Sequence, residues 1–258
     1  MTMKLDRRDV LALSVAGVAS GVLVGGWPAP AATRPRIQAV VLDAFTTFDP
    51  RPVAVLADRF FPEKGAALAS AWRTRQFEYA WLRTLMGRYV NFWQVTEEAL
   101  VFAAHMLKLD LTAEKRSQLM QAWLQIKAWP DALPALTSLK DASIRLAFLS
   151  NFTAPMLDAA VGNSGFEGIF EPHLSTDRVR AFKPDPRAYQ MGIDAFGLRR
   201  EEIAFAAFGG WDAAGAKAFG YLTFWVNRVN APVEELGVAP DGIGANLHDL
   251  AHFVMSRQ

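Results

Sequence analysis

Carboxylate, hydroxyl and amide side chains stand just beyond three apolar runs of the sequence. They are Asp43, then Ser150 and Asn151, then Asp212, and a lysine, Lys183, lies between the last two in a Phe-Lys-Pro segment. Open α/β sheets bind their ligands outside the carboxyl ends of parallel strands. If the three runs are strands of one such sheet, all five side chains could meet along one edge and act on a ligand there. Taken alone, Asp43 could instead cap the turn that follows it.

The apolar runs themselves favour a parallel sheet. Residues 39–42 show no polar alternation, which is typical of a strand that is buried on both faces. Further strands are predicted at 144–149, 169–174, 203–208 and 222–226, and helical patterns separate them at 155–164, 185–196 and 213–219. Strands that alternate with helices predict a doubly wound α/β fold.

About eighty residues interrupt this alternation after the first strand. They contain four stretches with apolar residues at helical spacing, at 51–61, 65–86, 90–109 and 112–127. A helical insertion at this point would lie over the carboxyl edge of the sheet, where it could act as a lid and contact a substrate. Trp129-Pro130-Asp131 marks the return to the sheet.

Composition excludes several classes of function. The 258 residues carry a net charge of +1 without a basic stripe, so nucleic acid is not an expected partner. Cysteine is absent, which excludes disulfides, thiolate metal sites and a cysteine nucleophile. The length suits one large domain or a domain with an insertion.

The N-terminal segment predicts export. Arg7 and Arg8 precede an apolar stretch over 10–24, which is shorter than the roughly 20 residues that span a bilayer, and Ala29-Pro30-Ala31 offers a cleavage site. This order is typical of a twin-arginine signal over 1–31, with a mature protein that starts near Ala32, works in the periplasm and has no stable membrane insertion. An uncleaved anchor and a chance apolar tail are the alternatives.

Four motifs together resemble the haloacid dehalogenase superfamily. They are Leu42-Asp43-Ala44-Phe45-Thr46-Thr47, Leu149-Ser150-Asn151, Phe182-Lys183-Pro184 and Gly209-Gly210-Trp211-Asp212. A closer similarity to the type II (S)-2-haloacid dehalogenases rests on Trp72-Arg73, Gln76-Phe77-Glu78-Tyr79, Trp81-Leu82-Arg83 and Trp225-Val226-Asn227-Arg228. The resemblance implies a Rossmann-like core over 37–48 and 133–258 with a helical cap over 49–132. It also implies the hydrolysis of short (S)-2-haloalkanoic acids to (R)-2-hydroxy acids through an aspartyl ester, with no cofactor or metal.

The same resemblance assigns roles to individual residues. Asp43 is the expected nucleophile, Lys183 holds it ionised, and Thr47 donates a hydrogen bond to it. Asp212 contacts Lys183 or prepares the hydrolytic water, and Tyr189 matches a family tyrosine. The substrate carboxylate is expected to be bound by the N–H groups of Ala44 and Phe45 and by Ser150. The halide is expected to be bound by Arg73 and Asn151. The apolar part of the substrate is expected to contact Phe92 and Trp211.

One comparison within the superfamily and two departures from the family pattern bear on the function. Superfamily phosphatases carry a second aspartate where this chain has Phe45, which can transfer no proton and so disfavours a phosphatase. Thr46 replaces a turn glycine, and Ala207 and Gly209 replace a serine and an asparagine that serve ester hydrolysis in the family. A phosphate-ester hydrolase and a binding protein without turnover therefore remain as alternatives. A homodimer formed through the cap helices is a further possibility.

Overall fold

The computed structural model of the protein describes residues 36–171 and 173–258 and contains one large central sheet. The predicted export signal lies outside the described residues. In chain order, the strands are β1 (Ala39–Leu42), β2 (Phe48–Asp49), β3 (Lys127–Ala128), β4 (Arg145–Ser150), β5 (Leu174–Ser175), β6 (Ile203–Ala207), β7 (Leu222–Val226) and β8 (Gly242–Gly244). Six of them form a parallel sheet in the order β5-β4-β1-β6-β7-β8, which confirms the predicted fold class.

Helices cover both faces of the sheet and form the inserted cap. In chain order they are α1 (Ala44–Thr47), α2 (Arg51–Phe60), α3 (Gly65–Leu85), α4 (Phe92–Met106), α5 (Ala113–Ala122), α6 (Ala132–Asp141), α7 (Ala154–Ser164), α8 (Pro186–Phe196), α9 (Gly210–Phe219) and α10 (Leu247–Met255). Helices α2 to α5 are the predicted insertion after the first strand, which is confirmed. Because the described residues belong to one compact unit, the division into core and cap at 48/49 and 132/133 stays a prediction.

Strand β1 occupies the centre of the sheet between β4 and β6. Its four residues are fully buried, as the continuous apolar run predicts. Val41 pairs with Ala147 on one side and with Phe205 on the other. Because the carboxyl ends of parallel strands share one edge, this register places Asp43 between the residues that follow β4 and those that follow β6.

The sequence did not predict how the cap is attached. Strands β2 and β3 pair antiparallel, so the two chain segments that connect core and cap run side by side. The main-chain N–H of Trp129 then donates to the carbonyl of Thr47 at 2.9 Å. These strands have two residues each, which is too short for a periodic pattern to identify.

The weak strand predicted over 169–174 is wrong for most of its length. Only Leu174 and Ser175 pair with β4. The chain turns at Gly168, whose φ of 75° is in the left-handed region, and Phe170 then packs on Phe148 with ring centroids 4.1 Å apart. The apolar residues of this segment therefore serve packing.

None of the helices within 36–171 and 173–258 is both long and apolar enough to cross a membrane.

Helix α8 approaches the sheet closely at Gly192. A Cβ at this position would lie 2.5 Å from the Tyr221 hydroxyl oxygen and 3.2 Å from Val41 Cγ1. We expect Gly192→Ala to lower the free energy of unfolding in urea by about 1–3 kcal/mol through overpacking. In the Tyr221→Phe background, which lacks the nearest atom, the same substitution should cost measurably less. Equal costs in both backgrounds would show that the hydroxyl is not the limiting contact.

Candidate active site

Asp43 lies where β1 ends and caps the single helical turn α1. One oxygen of its carboxylate, Oδ1, accepts the N–H of Phe45 at 2.9 Å, as a helix N-cap does. The other oxygen, Oδ2, accepts from the Lys183 ammonium at 2.7 Å. Capping and ligand binding, which the sequence left as alternatives, therefore coexist in this residue.

Lys183 connects the two carboxylates of the site. Its Nζ donates to Asp43 Oδ2 at 2.7 Å and to Asp212 Oδ2 at 2.6 Å. Lys183 is 0 % exposed, Asp212 is 1 % exposed and Asp43 is 7 % exposed. Burial alone would lower the pKa of Lys183, but the charges of Asp212 and Asp43 outweigh it and raise that pKa, so the ammonium is retained.

Asp212 is held in the first turn of α9 by two hydrogen bonds. Besides the Lys183 contact, its Oδ1 accepts from the Tyr189 hydroxyl at 2.8 Å. Burial, with the nearby charge of Asp43, raises the pKa of Asp212 to about 6 against the opposing effect of Lys183. Burial and the charge of Asp212 also raise the pKa of Tyr189 well above its usual value, so the phenol remains a donor.

Ser150 is the last residue of β4, and Asn151 follows it and contacts the main chain of Lys183. Asn151 Oδ1 accepts the main-chain N–H of Lys183 at 3.1 Å, which leaves its Nδ2 group buried without a partner among the described residues. The buried Ser150 hydroxyl accepts the N–H of Phe152 at 3.1 Å. Because an unpaired buried donor is costly, Asn151 Nδ2 is suited to bind an anion.

Arg73 is the cation that the cap contributes. Its guanidinium stacks on the rings of Phe45 at 4.0 Å and Phe77 at 4.6 Å. Burial lowers the pKa of Arg73 to about 10, and the charge of Asp43 opposes this change. Its Nη1 is buried and has no partner within the described part of the chain, so this group also offers N–H bonds to an anion.

Aromatic rings surround these groups and limit access of water. Trp211 packs against Phe77 at 5.1 Å and against Trp81 at 5.3 Å. Phe92 is fully buried between Phe152 and Phe182, each 5.9 Å away. Both rings lie around the site, as the sequence predicts, but Phe92 also belongs to the packed core.

Thr47 does not hold Asp43 in the predicted way. Its hydroxyl lies 3.4 Å from Thr46 Oγ1, and within the described residues no hydrogen bond joins it to Asp43. Both carboxylate oxygens of Asp43 already have other donors, Phe45 and Lys183, and Thr47 is fully buried at the end of α1. The Thr46 hydroxyl donates instead to the Asp43 carbonyl at 2.7 Å, so the residue that replaces the turn glycine fastens the turn. The sequence predicts that the Phe45 N–H binds the substrate, and in the structure this N–H donates to Asp43 Oδ1.

Two substituted positions shape the far side of the site. Ala207 ends β6 and is fully buried, and Gly209 is the N-cap residue of α9. A Cβ on Gly209 would lie 2.7 Å from Trp211 Nε1, so the indole occupies the space that a side chain at 209 would need.

Sequence reasoning gave no role in the site to three residues that the structure places there. Phe77 and Phe208 belong to the aromatic surround of Arg73, and Trp129 donates through Nε1 to the Phe45 carbonyl at 3.2 Å. Phe77 belongs to the Gln76-Phe77-Glu78-Tyr79 motif, and this motif was the one available signal of its position in the site.

The part of the chain that the structure describes holds no group of three or more histidine, cysteine, aspartate and glutamate residues placed to bind a metal ion.

The chain is similar in sequence to a known protein family and to individual relatives. Residues 31–220 match the haloacid dehalogenase-like hydrolase family. The (S)-2-haloacid dehalogenase of Pseudomonas sp. (strain YL) is 41% identical over 206 residues, which is 80% of this chain and 89% of that protein.

Two solved structures are similar over almost their whole length. The L-2-haloacid dehalogenase RSc1362 has a TM-score of 0.84 and 41% identity, with 85% of this chain and 99% of that chain covered. The L-2-haloacid dehalogenase from Xanthobacter autotrophicus with chloropropionic acid covalently bound has a TM-score of 0.78 and 34% identity, with 85% and 98% covered.

The raised pKa of Asp212 has a consequence for stability. The unfolded chain ionises this carboxyl near 3.8 and the folded chain near 6, so the folded state binds the extra proton between these values. The contribution of Asp212 to the free energy of unfolding is therefore greatest below pH 3.8 and falls by about 2–3 kcal/mol as the pH rises through 6. The difference between the wild type and Asp212→Asn in urea unfolding should follow this trend between pH 4 and 7.

Asp185→Asn provides a control of opposite sign. The hydrogen bond from Arg187, aided by its charge and its N–H, lowers the pKa of Asp185. The wild type should therefore gain stability relative to Asp185→Asn as the pH rises from acid values. Parallel pH trends for the two pairs would contradict the raised pKa of Asp212.

Proposed function

The chain belongs to the haloacid dehalogenase-like hydrolase family, and from this premise we propose that it hydrolyses short (S)-2-haloalkanoic acids to (R)-2-hydroxy acids. The observation that carries the proposal is the carboxylate of Asp43, held by Lys183 at the sheet edge with the free donors of Arg73 and Asn151 nearby. The Xanthobacter relative, whose structure holds covalently bound chloropropionic acid, supports an ester intermediate.

The first step forms an ester on Asp43. A carboxylate oxygen attacks the second carbon of the substrate from the side opposite the halogen, the carbon–halogen bond breaks, and the halide leaves with the bonding electrons. This displacement inverts the carbon. The Lys183 ammonium lies 2.7 Å from the carboxylate of Asp43, while Arg73 and Asn151 offer N–H groups to the departing anion.

The second step returns Asp43 to its free form. Water attacks the carbonyl carbon of the ester while Asp212 takes up one of its protons, and the bond from this carbon to the product oxygen then breaks. The departing oxygen takes that proton from Asp212 and becomes the hydroxyl of the hydroxy acid, and the second proton of the water is released as Asp43 returns to its carboxylate. The product carries the original carboxylate oxygen, and Asp43 carries one oxygen from water. The negative charge of Asp43 raises the pKa of Asp212. Because Asp43 has no charge in the ester, this effect is absent during the second step.

Two expectations about the cellular context belong to the same proposal. Arg7 and Arg8 before an apolar stretch support export to the periplasm by the twin-arginine route. Leu85 and Met86, at the end of α3, are 84 % and 63 % exposed, and such apolar side chains on the cap support a homodimer.

One alternative has a specific observation in its favour. Ala207 and Gly209 replace polar residues that the resemblance links to ester hydrolysis, which favours a protein that forms the ester but turns it over slowly. For a phosphate-ester hydrolase, Phe45 leaves no acid to protonate the alcohol.

Halide release tests the proposed reaction directly. The mature protein without added metal should release chloride steadily from (S)-2-chloropropionate and far less from the (R) acid. Asp43→Asn should lower the rate by more than about a thousandfold, because the nucleophile is lost. Chloride would be titrated, and the configuration of the lactate product determined.

The other outcomes are distinct. A single burst of chloride with a mass increase on Asp43 would show that ester hydrolysis fails. No release of chloride, together with a Mg²⁺-dependent phosphatase activity, would refute the proposal.

The position of Trp211 gives a further prediction. Gly209→Ala would force the indole to move, because a Cβ at 209 lies 2.7 Å from Trp211 Nε1. We expect kcat/KM for (S)-2-chloropropionate to fall by roughly tenfold as the apolar wall is displaced.

Gly210→Ala is the matched control for that experiment. The three atoms nearest to its Cβ would all belong to the side chain of Glu234, which can swing aside, so activity should stay close to that of the wild type. Equal losses in both variants would indicate a general effect on the start of α9 and not on Trp211.

A further inference from the structure

The turn that carries Asp43, helix α1, is held by hydrogen bonds from other parts of the chain. Helix α1 has four residues, and so short a helix has little stability of its own because helix nucleation is costly. The carbonyl of Ala44 accepts the N–H of Phe48, but the next three carbonyls need partners from elsewhere in the chain. Where those partners come from decides what holds Asp43 in place.

Two residues supply these partners. Trp129 donates its indole Nε1 to the Phe45 carbonyl at 3.2 Å and its main-chain N–H to the Thr47 carbonyl at 2.9 Å. Arg228 donates to the Thr46 carbonyl through Nη2 at 2.8 Å and Nε at 3.2 Å. All three carbonyls are thereby bound.

Arg228 is itself rigidly held. It forms a two-point ion pair with Asp131, with Nη1–Oδ1 at 3.0 Å and Nη2–Oδ2 at 2.9 Å. Burial opposes ionisation of Asp131, yet the hydrogen bonds from Arg228 and from the Leu247 N–H hold its pKa below the usual value. The pair therefore stays charged at neutral pH, and its fork geometry leaves Arg228 little freedom.

The same residues are connected to the cap. The Arg228 guanidinium lies 4.6 Å from the centroid of the Trp129 ring, and the Arg51 guanidinium lies 4.5 Å from the same centroid. Arg51 begins the first cap helix and pairs with Asp49 in β2. Trp129 directly follows β3, the segment that returns from the cap.

We propose that Trp129 and Arg228 are positioning residues for the reaction: by binding the carbonyls of α1 they hold the turn that Asp43 caps and so aim its carboxylate at the substrate. The proposal rests on the proposed function for its kinetic readout. Neither residue touches the reacting atoms, so both act through α1. Since each peptide unit is planar, holding the Phe45 carbonyl also orients the N–H of Thr46, which donates to the carbonyl of Asp43 at 3.1 Å.

Trp129→Phe tests the hydrogen bond from the indole Nε1 separately from the other contacts of this residue. It keeps a ring for Arg51 and Arg228 but removes the Nε1 donor to Phe45. We expect the rate constant for ester formation, measured as chloride release in a single turnover, to fall roughly tenfold, with Arg228→Lys at least as severe. Dissociation of the substrate should change less than this rate constant.

Arg200→Lys is the matched control. Arg200 also stacks on an aromatic ring, Phe219 at 4.4 Å, and also donates to a main-chain carbonyl, that of Phe219 at 2.7 Å, but it makes no contact with α1. Its substitution should alter the melting temperature as much as the test variants do and leave the rate constant near the wild-type value.

Hydrogen exchange gives a readout that does not require activity. Trp129→Phe and Arg228→Lys should speed amide exchange in residues 43–48 and leave the rest of the sheet protected, whereas Arg200→Lys should not affect 43–48. Unchanged exchange in that segment, or equal rate losses in the control, would overturn the proposal. A wild type that releases no chloride would refute the proposed function alone, since the exchange experiment would still decide the role of Trp129 and Arg228.

Discussion

The buried ammonium of Lys183 is the charge on which the rest of the site depends. It lies within 2.7 Å of one carboxylate and 2.6 Å of another, and none of its surface is exposed. Removing one member of such a buried group leaves an uncompensated charge, which is strongly destabilising, so the three side chains depend on one another. The sheet order makes this contact possible, because β1 is central and its carboxyl end lies between those of β4 and β6.

The cap completes the charge balance that the core leaves open. Asp43 and Asp212 carry two negative charges, and Lys183 from the core offsets one of them. Arg73 from the cap supplies the second positive charge in an aromatic surround, where its attraction to an anion is screened less than in water. The charges of these four side chains therefore nearly cancel, so a 2-haloacid anion meets no net repulsion and finds N–H groups on Arg73 and Asn151 that have no partner among the described residues.

Features carried by local pattern were predictable, and features carried by distant contacts were not. The apolar run of β1, the helices of the cap and the sheet-edge positions of Asp43, Ser150 and Asp212 all follow from periodicity and strand ends. Arg228, 182 residues from Thr46, has no local signal for its contact with that carbonyl. The spacing of Thr47 suggested a bond to Asp43, but how its buried hydroxyl is directed depends on side-chain packing, which spacing does not encode.

The departures of this chain from its family pattern at 207 and 209 fall on one half of the proposed reaction. Ester formation uses Asp43, Lys183, Arg73 and Asn151, all present and placed around the same edge. Ester hydrolysis needs a held water, and at 207 and 209 the chain offers a methyl group and a glycine whose space the Trp211 indole fills. Each oxygen of Asp212 already accepts one hydrogen bond, from Lys183 or Tyr189, and a carboxylate oxygen can accept a second. The water must then be oriented mainly by Asp212, so the second step is where this protein should differ in rate from relatives that keep the polar pair.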